Sequence, residues 1–443
     1  MKIVAIGGDA LSMSAVSKLR RLDDTVDIHV YEKGHIVSYG ACGMPYFVSD
    51  EITDSKALIA RTKKGFEARD IHVHLGHEVT QVNDLDKTIT VKNLKDNQTL
   101  EVAYDKLIIG SGAHPIIPPF KNKDLKNIFT FTTIPDSEAV KAQMQSDDVK
   151  NVVVIGGGFI GVEMVEAFNN YDVSITLIEL KDHILEVFDP DMVKALESHL
   201  EEEGITLCLA EKVTGFNGDQ VVQEVETNKD TYAADLVLIA AGVAPNTSFL
   251  NKEQFDLAEN GAVMVNRHME TNVRDIYAGG DCATIYHRLL NKNVYLPLGN
   301  NANKQGRLIA ENIHGLNTSL DGVLGTTVIK VINMEAGRTG LSESYAKAHN
   351  IPHKTVTIRG RNHAGYYPNA QTVKAKIIYE PDTFKMLGAQ LVGKADTAIR
   401  INPFVVAISK GMTTKEFGML DFGYAPPFSG VWDVIAIAAL QAE

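Results

Sequence analysis

Short apolar runs punctuated by glycine recur along the chain. The first, Lys2-Ile3-Val4-Ala5-Ile6, is a β-type run that breaks at Gly7-Gly8, and beyond it Met13, Ala15, Val16 and Leu19 fall at helical spacing. This pattern predicts strand, glycine turn and helix. A second β-type run, Asp27-Ile28-His29-Val30-Tyr31, ends in Glu32. The arrangement returns about 150 residues later, where Val152-Val153-Val154-Ile155 leads into Gly156-Gly157-Gly158-Phe159-Ile160-Gly161 and Ile175-Thr176-Leu177-Ile178 ends in Glu179. Each copy closes on a similar apolar strand, Lys106 to Ile109 before Gly110-Ser111-Gly112 and Leu236 to Ile239 before Ala240-Ala241-Gly242. Two βαβ units of one kind predict an α/β chain with two Rossmann-like domains.

From about Leu324 the composition changes. β-type runs cover Thr326 to Ile332, Thr355 to Ile358 and Val373 to Tyr379, followed by helical patterns over Asp396 to Lys410 and Val431 to Leu440. An α+β segment of this kind is a third domain, in keeping with what 443 residues can fold into.

The glycine turns carry the first chemistry. Glycine at such a turn lets backbone N–H groups approach a pyrophosphate at the helix N-terminus, where the helix dipole also favours it. The second copy has all three glycines of the dinucleotide fingerprint, Gly156, Gly158 and Gly161. In the first copy Ser12 stands at the third position and Asp9 adds a negative charge. Glu32 and Glu179 lie where a carboxylate accepts hydrogen bonds from the ribose hydroxyls of an adenosine, the alternative being a solvated acid at a strand end. A carboxylate at Glu179 repels a 2′-phosphate, so the second site favours NADH over NADPH, with Lys181 close by as the counterweight. Further on, Asp275-Ile276-Tyr277-Ala278-Gly279-Gly280-Asp281 brings a strand to a carboxylate suited to the ribityl chain of a flavin. Flavin and nicotinamide sites in one chain imply hydride transfer.

Charge and composition narrow the partners. A net charge of −13 and a pI near 5.6 argue against a nucleic-acid surface. Any anionic ligand needs a local basic patch. No apolar run reaches the roughly 18 residues a membrane span requires. The N-terminus runs directly into a strand with no export signal, and three cysteines fit a reducing compartment, so a cytoplasmic location is expected. No HExxH or CxxC pattern suggests a metal site.

One cysteine stands apart. Ser38-Tyr39-Gly40-Ala41-Cys42-Gly43-Met44-Pro45-Tyr46 sets Cys42 among small residues just after the first βαβ unit. By itself a lone cysteine there is equally a small core residue at a helix start. Cys208, in an apolar strand, and Cys282, after the flavin carboxylate, are not expected to be catalytic.

With these motifs the whole chain resembles the two-dinucleotide-binding-domain flavoprotein disulfide reductases. The Cys42 segment looks like their single-cysteine branch, comprising coenzyme A disulfide reductase, NADH oxidase and NADH peroxidase, since no second cysteine follows four residues on. The resemblance implies a discontinuous FAD-binding domain (residues 1–115 and 248–322), an NAD(P)-binding domain (116–247) and a dimerisation domain (323–443). It implies FAD contacts at Gly7, Gly8, Glu32, Lys33, Ser111, Gly112, Asp281 and Ala302. The nicotinamide coenzyme, NADH with NADPH possible, would meet Gly156, Gly158, Phe159, Ile160, Gly161, Glu163, Glu179 and Gly242. Electrons would then pass from NAD(P)H through FAD to Cys42.

Three features select among the branch members. The oxidases and peroxidases carry a histidine where Ala10 stands here, which disfavours oxygen or peroxide chemistry. The segment Leu58 to Arg69 is similar to that of the coenzyme A disulfide reductases, and Arg61, Lys63, Lys64 and Arg69 would form a basic patch for coenzyme A, together with Lys18, Arg21 and Ser38. Ordinary solvated faces are the alternative for these cations. Finally, His363-Ala364-Gly365-Tyr366-Tyr367-Pro368 and Gly423-Tyr424-Ala425-Pro426-Pro427-Phe428-Ser429 match C-terminal motifs of those reductases. There the tyrosines matching Tyr366 and Tyr424 reach the cysteine of the other subunit. The expected enzyme is a homodimeric NAD(P)H-dependent reductase of CoA disulfide or a CoA persulfide, with Phe422, Phe428 and Trp432 as interface anchors. The alternative is an NADH oxidase or peroxidase cycling Cys42 through a sulfenic acid. Asp9 and Ser12 depart from the family pattern and imply weaker FAD binding, and Phe159 replaces the usual tyrosine at the nicotinamide.

Overall fold

A computed structural model describes residues 1–442. Glu443, the last residue of the expected third domain, lies outside them. The chain forms two compact units: Met1–Phe47 with Ile52–Ile116 and Val243–Val323, and Val48–Glu51 with Ile117–Gly242 and Leu324–Glu443.

The first unit is built on a five-stranded parallel sheet. Its middle strand β1 (Lys2–Ile6) is flanked on one side by β2 (Asp27–Glu32) and then β3 (Ile71–Leu75), and on the other by Lys106–Ile109 and Ile276–Ala278. Ile3, Val4 and Ala5 are fully buried, as expected where both faces of a parallel sheet are covered. Helix α1 (Ala10–Leu22) buries Leu11, Ala15, Val16 and Leu19 at helical spacing. It packs on the helix Gly299–Ile313, and a Cβ at Gly306 would sit 2.2 Å from the Leu11 carbonyl oxygen, so only glycine permits this approach. An antiparallel meander, His77–Asn83, Thr88–Asn93 and Thr99–Ala103, completes the unit.

The second unit repeats the plan. Its parallel sheet runs Thr206–Cys208, Ser174–Ile178, Asn151–Ile155, Leu236–Ile239 and Ile128–Phe129, with a second meander between Val213 and Ala233. The same unit holds an antiparallel sheet in the order Thr327–Val331, Met334–Gly340, Met386–Gly393, Thr372–Tyr379 and Lys354–Arg361. Of its three inner strands, Met334–Gly340 and Met386–Gly393 were not expected. They are glycine-rich, and glycine reads as a breaker. The reason for the glycines is tertiary: a Cβ at Gly388 would lie 1.9 Å from the Leu341 carbonyl oxygen, and one at Gly337 2.9 Å from that of Ala398. The helix expected from Asp396 begins at Ile401, because Asp396 is left-handed (φ 65°) and Ala398–Arg400 is a 3-10 turn. No helix among the described residues is long and apolar enough to cross a membrane.

Candidate functional site

The first glycine turn is held by close approaches. Gly7 is left-handed (φ 90°), and a Cβ there would sit 2.1 Å from the Gly110 carbonyl oxygen. Glu32, at the end of β2, accepts hydrogen bonds from the backbone N–H of Gly8 and of Gly34, both at 2.6 Å. Its carboxylate is thus oriented at the turn. Lys33 points to Glu78, at 2.7 Å. Ser12 is fully buried and its hydroxyl donates to the Ile6 carbonyl at 3.2 Å. Gly110 makes the room for it, since a Cβ at Gly110 would lie 2.4 Å from Ser12 Oγ. In the second copy the small partner is Gly161, and Ala240 occupies the place of Gly110. The missing third glycine is therefore compensated across the strand.

The cysteine segment is strapped to this turn. Ser38, left-handed at φ 54°, donates its N–H to the Gly8 carbonyl at 2.8 Å. Its own carbonyl accepts from Ala60 N–H (2.8 Å) and Arg61 N–H (3.4 Å), while Gly40 N–H donates to Leu58 (2.8 Å). Cys42 follows in a 3-10 turn, Ala41–Gly43, and is exposed, whereas Cys208 and Cys282 are buried. The same strapping brings Arg61 beside Ser38. Arg61 stacks its guanidinium 5.1 Å from the Phe66 ring centroid, Lys63 pairs with Glu67 at 3.5 Å, and Lys64 and Arg69 are exposed. Of the α1 cations, Arg21 is exposed, but Lys18 is paired with Glu311 at 3.2 Å.

Asp281 lies in the 3-10 turn Gly280–Cys282, where burial raises its carboxyl above the ordinary range. Beside it, Gly280 N–H donates to Gln305 Oε1 at 2.9 Å. Asn301 Nδ2 and Gln305 Nε2, one turn apart on either side of Ala302, are buried donors with no protein acceptor. The sequence reading missed both amides. Buried unpaired donors were their only available signal, and that signal exists only in three dimensions. Ser111 and Gly112 are tied to the Asn246 backbone, by Ser111 Oγ to its carbonyl (2.6 Å) and by its N–H to the Gly112 carbonyl (3.0 Å).

The second glycine turn, in the other unit, has the same construction with all its glycines. Gly156 (φ 109°) could carry no Cβ within 2.4 Å of the Ala240 oxygen, and Gly161 could carry none within 1.9 Å of Gly156. Gly158 faces open space and starts the helix Phe159–Phe168, whose first residues are Phe159 and Ile160. Glu179 accepts from Gly157 N–H at 2.5 Å and Lys181 N–H at 2.7 Å. Lys181 itself turns to Glu186, at 3.3 Å. Gly242 is left-handed (φ 110°). On the same helix Glu163 is pushed up to about 7, by burial first and then by the charge of Glu166.

Tyr366 and Tyr424, 58 residues apart, meet with their hydroxyls 3.1 Å from each other and are 77% and 46% exposed. Arg400 joins their segments, donating Nη2 to the Asn362 carbonyl at 2.5 Å and the Phe428 carbonyl at 2.7 Å, and its Nε pairs with Asp433 at 3.2 Å. The sequence reading did not single out Arg400. Phe428 and Trp432 are exposed, whereas Phe422 stacks edge-on against Phe417 (5.3 Å between centroids) in its own unit. Phe422 is half-buried.

Among the described residues, Asp189, Asp191 and Glu343 form a carboxylate group with the spacing of a cation site. The ammonium of Lys376 already lies among them, at 3.1, 2.7 and 2.6 Å. This chain supplies its own cation there.

Comparison with known proteins agrees with this construction. Residues 1–306 match the family model described as pyridine nucleotide-disulphide oxidoreductase, and residues 326–434 match its dimerisation domain. The chain is 34% identical over 439 residues to the NAD(P)H coenzyme A polysulfide/persulfide reductase of Pyrococcus horikoshii, covering 99% of this chain and 97% of that one. It is 31% identical over 445 residues to an NADH oxidase of Enterococcus faecalis, covering 100% and 99%. The structure of reduced Bacillus anthracis CoADR-RHD superposes with a TM-score of 0.96 at 32% identity, covering all of this chain and 80% of that one.

Proposed function

The chain belongs to the pyridine nucleotide-disulphide oxidoreductase family, and we propose that it reduces CoA disulfide or a related CoA persulfide through the thiolate of Cys42. The observation that carries this reading is the exposed Cys42 in a turn strapped by Ser38 both to the first glycine turn and to the basic segment beginning at Arg61. An anionic thiol substrate would meet a nucleophile and cations on one short stretch of surface.

The residues of the first unit fit FAD. Helix α1 starts with no acidic residue in its first turn and no side-chain cap, which leaves N–H groups for a pyrophosphate. Glu32 would take the ribose. The unpaired amides of Asn301 and Gln305, beside Ala302 and Asp281, would give polar ring atoms their donors. Gly7, Gly8, Lys33, Ser111 and Gly112 complete this assignment. Bound FAD supplies the two-electron link between a nicotinamide and a disulfide. We assign the nicotinamide coenzyme to Gly156, Gly158, Phe159, Ile160, Gly161, Glu163, Glu179 and Gly242, with NADH preferred. The FAD-binding domain is then 1–115 with 248–322, the NAD(P)-binding domain 116–247 and the dimerisation domain 323–443.

Cys42 as thiolate attacks one sulfur of CoA disulfide, forms a mixed disulfide and releases one CoA thiolate. Two electrons, originating in NAD(P)H, then cleave the mixed disulfide, and a proton completes the second CoA thiol. Ser38, Arg61, Lys63 and Arg69, with Arg21, hold the nucleotide end. Lys18 contributes only on leaving Glu311. In a homodimer the paired hydroxyls of Tyr366 and Tyr424 would serve the partner's cysteine. The reading places the enzyme in the cytoplasm, where thiols stay reduced.

Replacing Cys42 by Ser abolishes NADH-dependent CoA-disulfide reduction while leaving flavin content unchanged; persistence of the activity would overturn the mechanism. Mixing Cys42→Ser chains with chains carrying Tyr366→Phe and Tyr424→Phe restores part of the activity. No recovery after demonstrated subunit exchange would exclude a site shared between chains. The similarity to an NADH oxidase supports a second reading, in which Cys42 cycles through a sulfenic acid. Ala10 offers no imidazole for that chemistry, and oxygen consumption matching CoA-disulfide turnover would favour it over the first.

A further inference from the structure

We propose that Asp9 couples FAD binding to proton uptake, so that the protein holds the cofactor with Asp9 neutral and releases it as Asp9 ionises. This rests on the assignment of the first glycine turn to FAD. Asp9 is the residue that precedes α1, yet its side chain does not cap the helix. Its Oδ1 instead accepts from the Tyr39 N–H at 3.3 Å, which keeps the carboxyl at the mouth of the turn where a pyrophosphate belongs. The charges acting on it from neighbouring elements are the carboxylates of Glu32, at the end of β2, and Asp281, in the turn after Ile276–Ala278. Arg20 and Arg21 lie in the last turn of α1, at the end far from Asp9. Lys33 pairs with Glu78 (2.7 Å), and Lys18, on α1, pairs with Glu311 of the helix Gly299–Ile313, whose other charged side chains are Lys304 and Arg307.

Burial is the largest influence on Asp9. The N–H groups of Tyr39 and Ala10 oppose it, the carboxylates of Glu32 and Asp281 add to it, and the outcome is a carboxyl pushed up to about 6. A pyrophosphate adds two negative charges to the same place and must push it higher still. At neutral pH the FAD-free protein then carries Asp9 ionised and the FAD-bound protein carries it neutral, able to donate a hydrogen bond to a phosphate oxygen. The sign follows by linkage. FAD affinity is greatest below about pH 6 and weakens by up to tenfold per pH unit above it, until the bound-state value is passed.

The test uses purified holoenzyme, diluted stepwise at pH 5.5 to 9 while the fluorescence of released FAD reports Kd. For the wild type, Kd is expected to rise at least tenfold between pH 6 and 8. For Asp9→Asn, isosteric and uncharged, and for Asp9→Val, Kd stays flat across that range and tighter than wild type at pH 8. Titration calorimetry of FAD into FAD-depleted full-length protein, in two buffers of different ionisation enthalpy at pH 7.5, should show uptake of nearly one proton by the wild type and none by Asp9→Asn. Parallel pH profiles for wild type and both variants would overturn the proposal. A preparation that carries no flavin at any pH in any of the three proteins would instead overturn the flavin assignment.

Discussion

Lys376 is a buried cation enclosed by three carboxylates. Its ammonium, 4% exposed, lies 3.1 Å from Asp189, 2.7 Å from Asp191 and 2.6 Å from Glu343. Asp189 precedes the helix Pro190–Glu202, Glu343 opens the helix Glu343–Ala348 and Lys376 lies on the strand Thr372–Tyr379, so the cluster ties two helices to the antiparallel sheet of the same unit. Burial would lower the Lys376 pKa, but hydrogen bonds to Asp191 and Glu343 and the charge of Asp189 win and raise it. Asp189 is the mirror case. Burial would raise it, but the backbone and side chain of Ser344, the charge of Lys376 and the Glu343 N–H hold it below the usual carboxylate range. The pair therefore contributes from above the acid range, where Asp189 ionises, up to the alkaline range where an unfolded lysine would lose its proton.

Lys376→Met removes the cation and leaves three carboxylates facing one another. Breaking a buried ion pair from one side costs about 3–5 kcal/mol. The lower end applies here, because Asp191 and Glu343 are partly exposed and Asp189 keeps donors from Glu343 N–H (3.0 Å), Ser344 N–H (2.8 Å), Ser344 Oγ (2.7 Å) and Gln390 Nε2 (2.6 Å). About 3 kcal/mol corresponds to a fall in Tm of roughly 6–12 °C for a unit of this size. Differential scanning calorimetry at pH 7 measures it. A divalent cation at millimolar concentration should recover part of the loss in the variant and change nothing in the wild type. A Tm within a degree of wild type, or a loss that calcium does not touch, would show that the Lys376 ammonium does not hold these carboxylates together.

Two further outcomes follow from the geometry. Glu179, held by two backbone N–H groups, would face the 2′-phosphate of NADPH, and one such repulsion at about 4–5 Å in an effective dielectric near 20 is about 3–4 kcal/mol. The wild type should prefer NADH by about 150- to 700-fold in kcat/KM, since each 1.4 kcal/mol is tenfold, Glu179→Ala should bring the ratio below about tenfold, and an unchanged ratio would remove Glu179 from the coenzyme assignment. On the first unit's sheet His29 Nδ1 meets His74 Nε2 at 3.0 Å, and burial, followed by the charges of His29 and His77, lowers His74 to about 4. Because the folded state favours the neutral ring, stability is complete above about pH 6.5 and declines as pH falls towards 4. Discounted for its partial exposure, the loss is about 1–2 kcal/mol. Tm measured from pH 7 to 4.5 should fall less in His74→Phe than in wild type; parallel curves would contradict this.

How far the site was legible differs between its parts. Gly156 and Gly161 announce themselves because the second glycine turn needs glycine for local reasons of φ and approach. Glu32 and Glu179 stand out by their distance along the chain from the glycine turns, whereas the setting of Cys42 reads equally as core and only the family resemblance singled it out. Tyr366 and Tyr424 were singled out by resemblance alone, and the structure adds the contact between their hydroxyls and Arg400 as the group that joins their segments.

Periodicity and backbone conformation are properties of neighbouring residues, so the amino-acid sequence by itself determined the two βαβ units, their glycine turns and the family of the chain. It could not say which distant atoms come within 3 Å. That is why Ser12 looked like a defect until Gly110 was found opposite it, and why the strands Met334–Gly340 and Met386–Gly393 went unmarked until Leu341 and Ala398 were found against their glycines. Asp9 follows the same logic. Its charge was visible in the sequence, but whether it stays charged depends on burial and on two carboxylates brought beside it from Glu32 and Asp281, and only the tertiary structure assembles those.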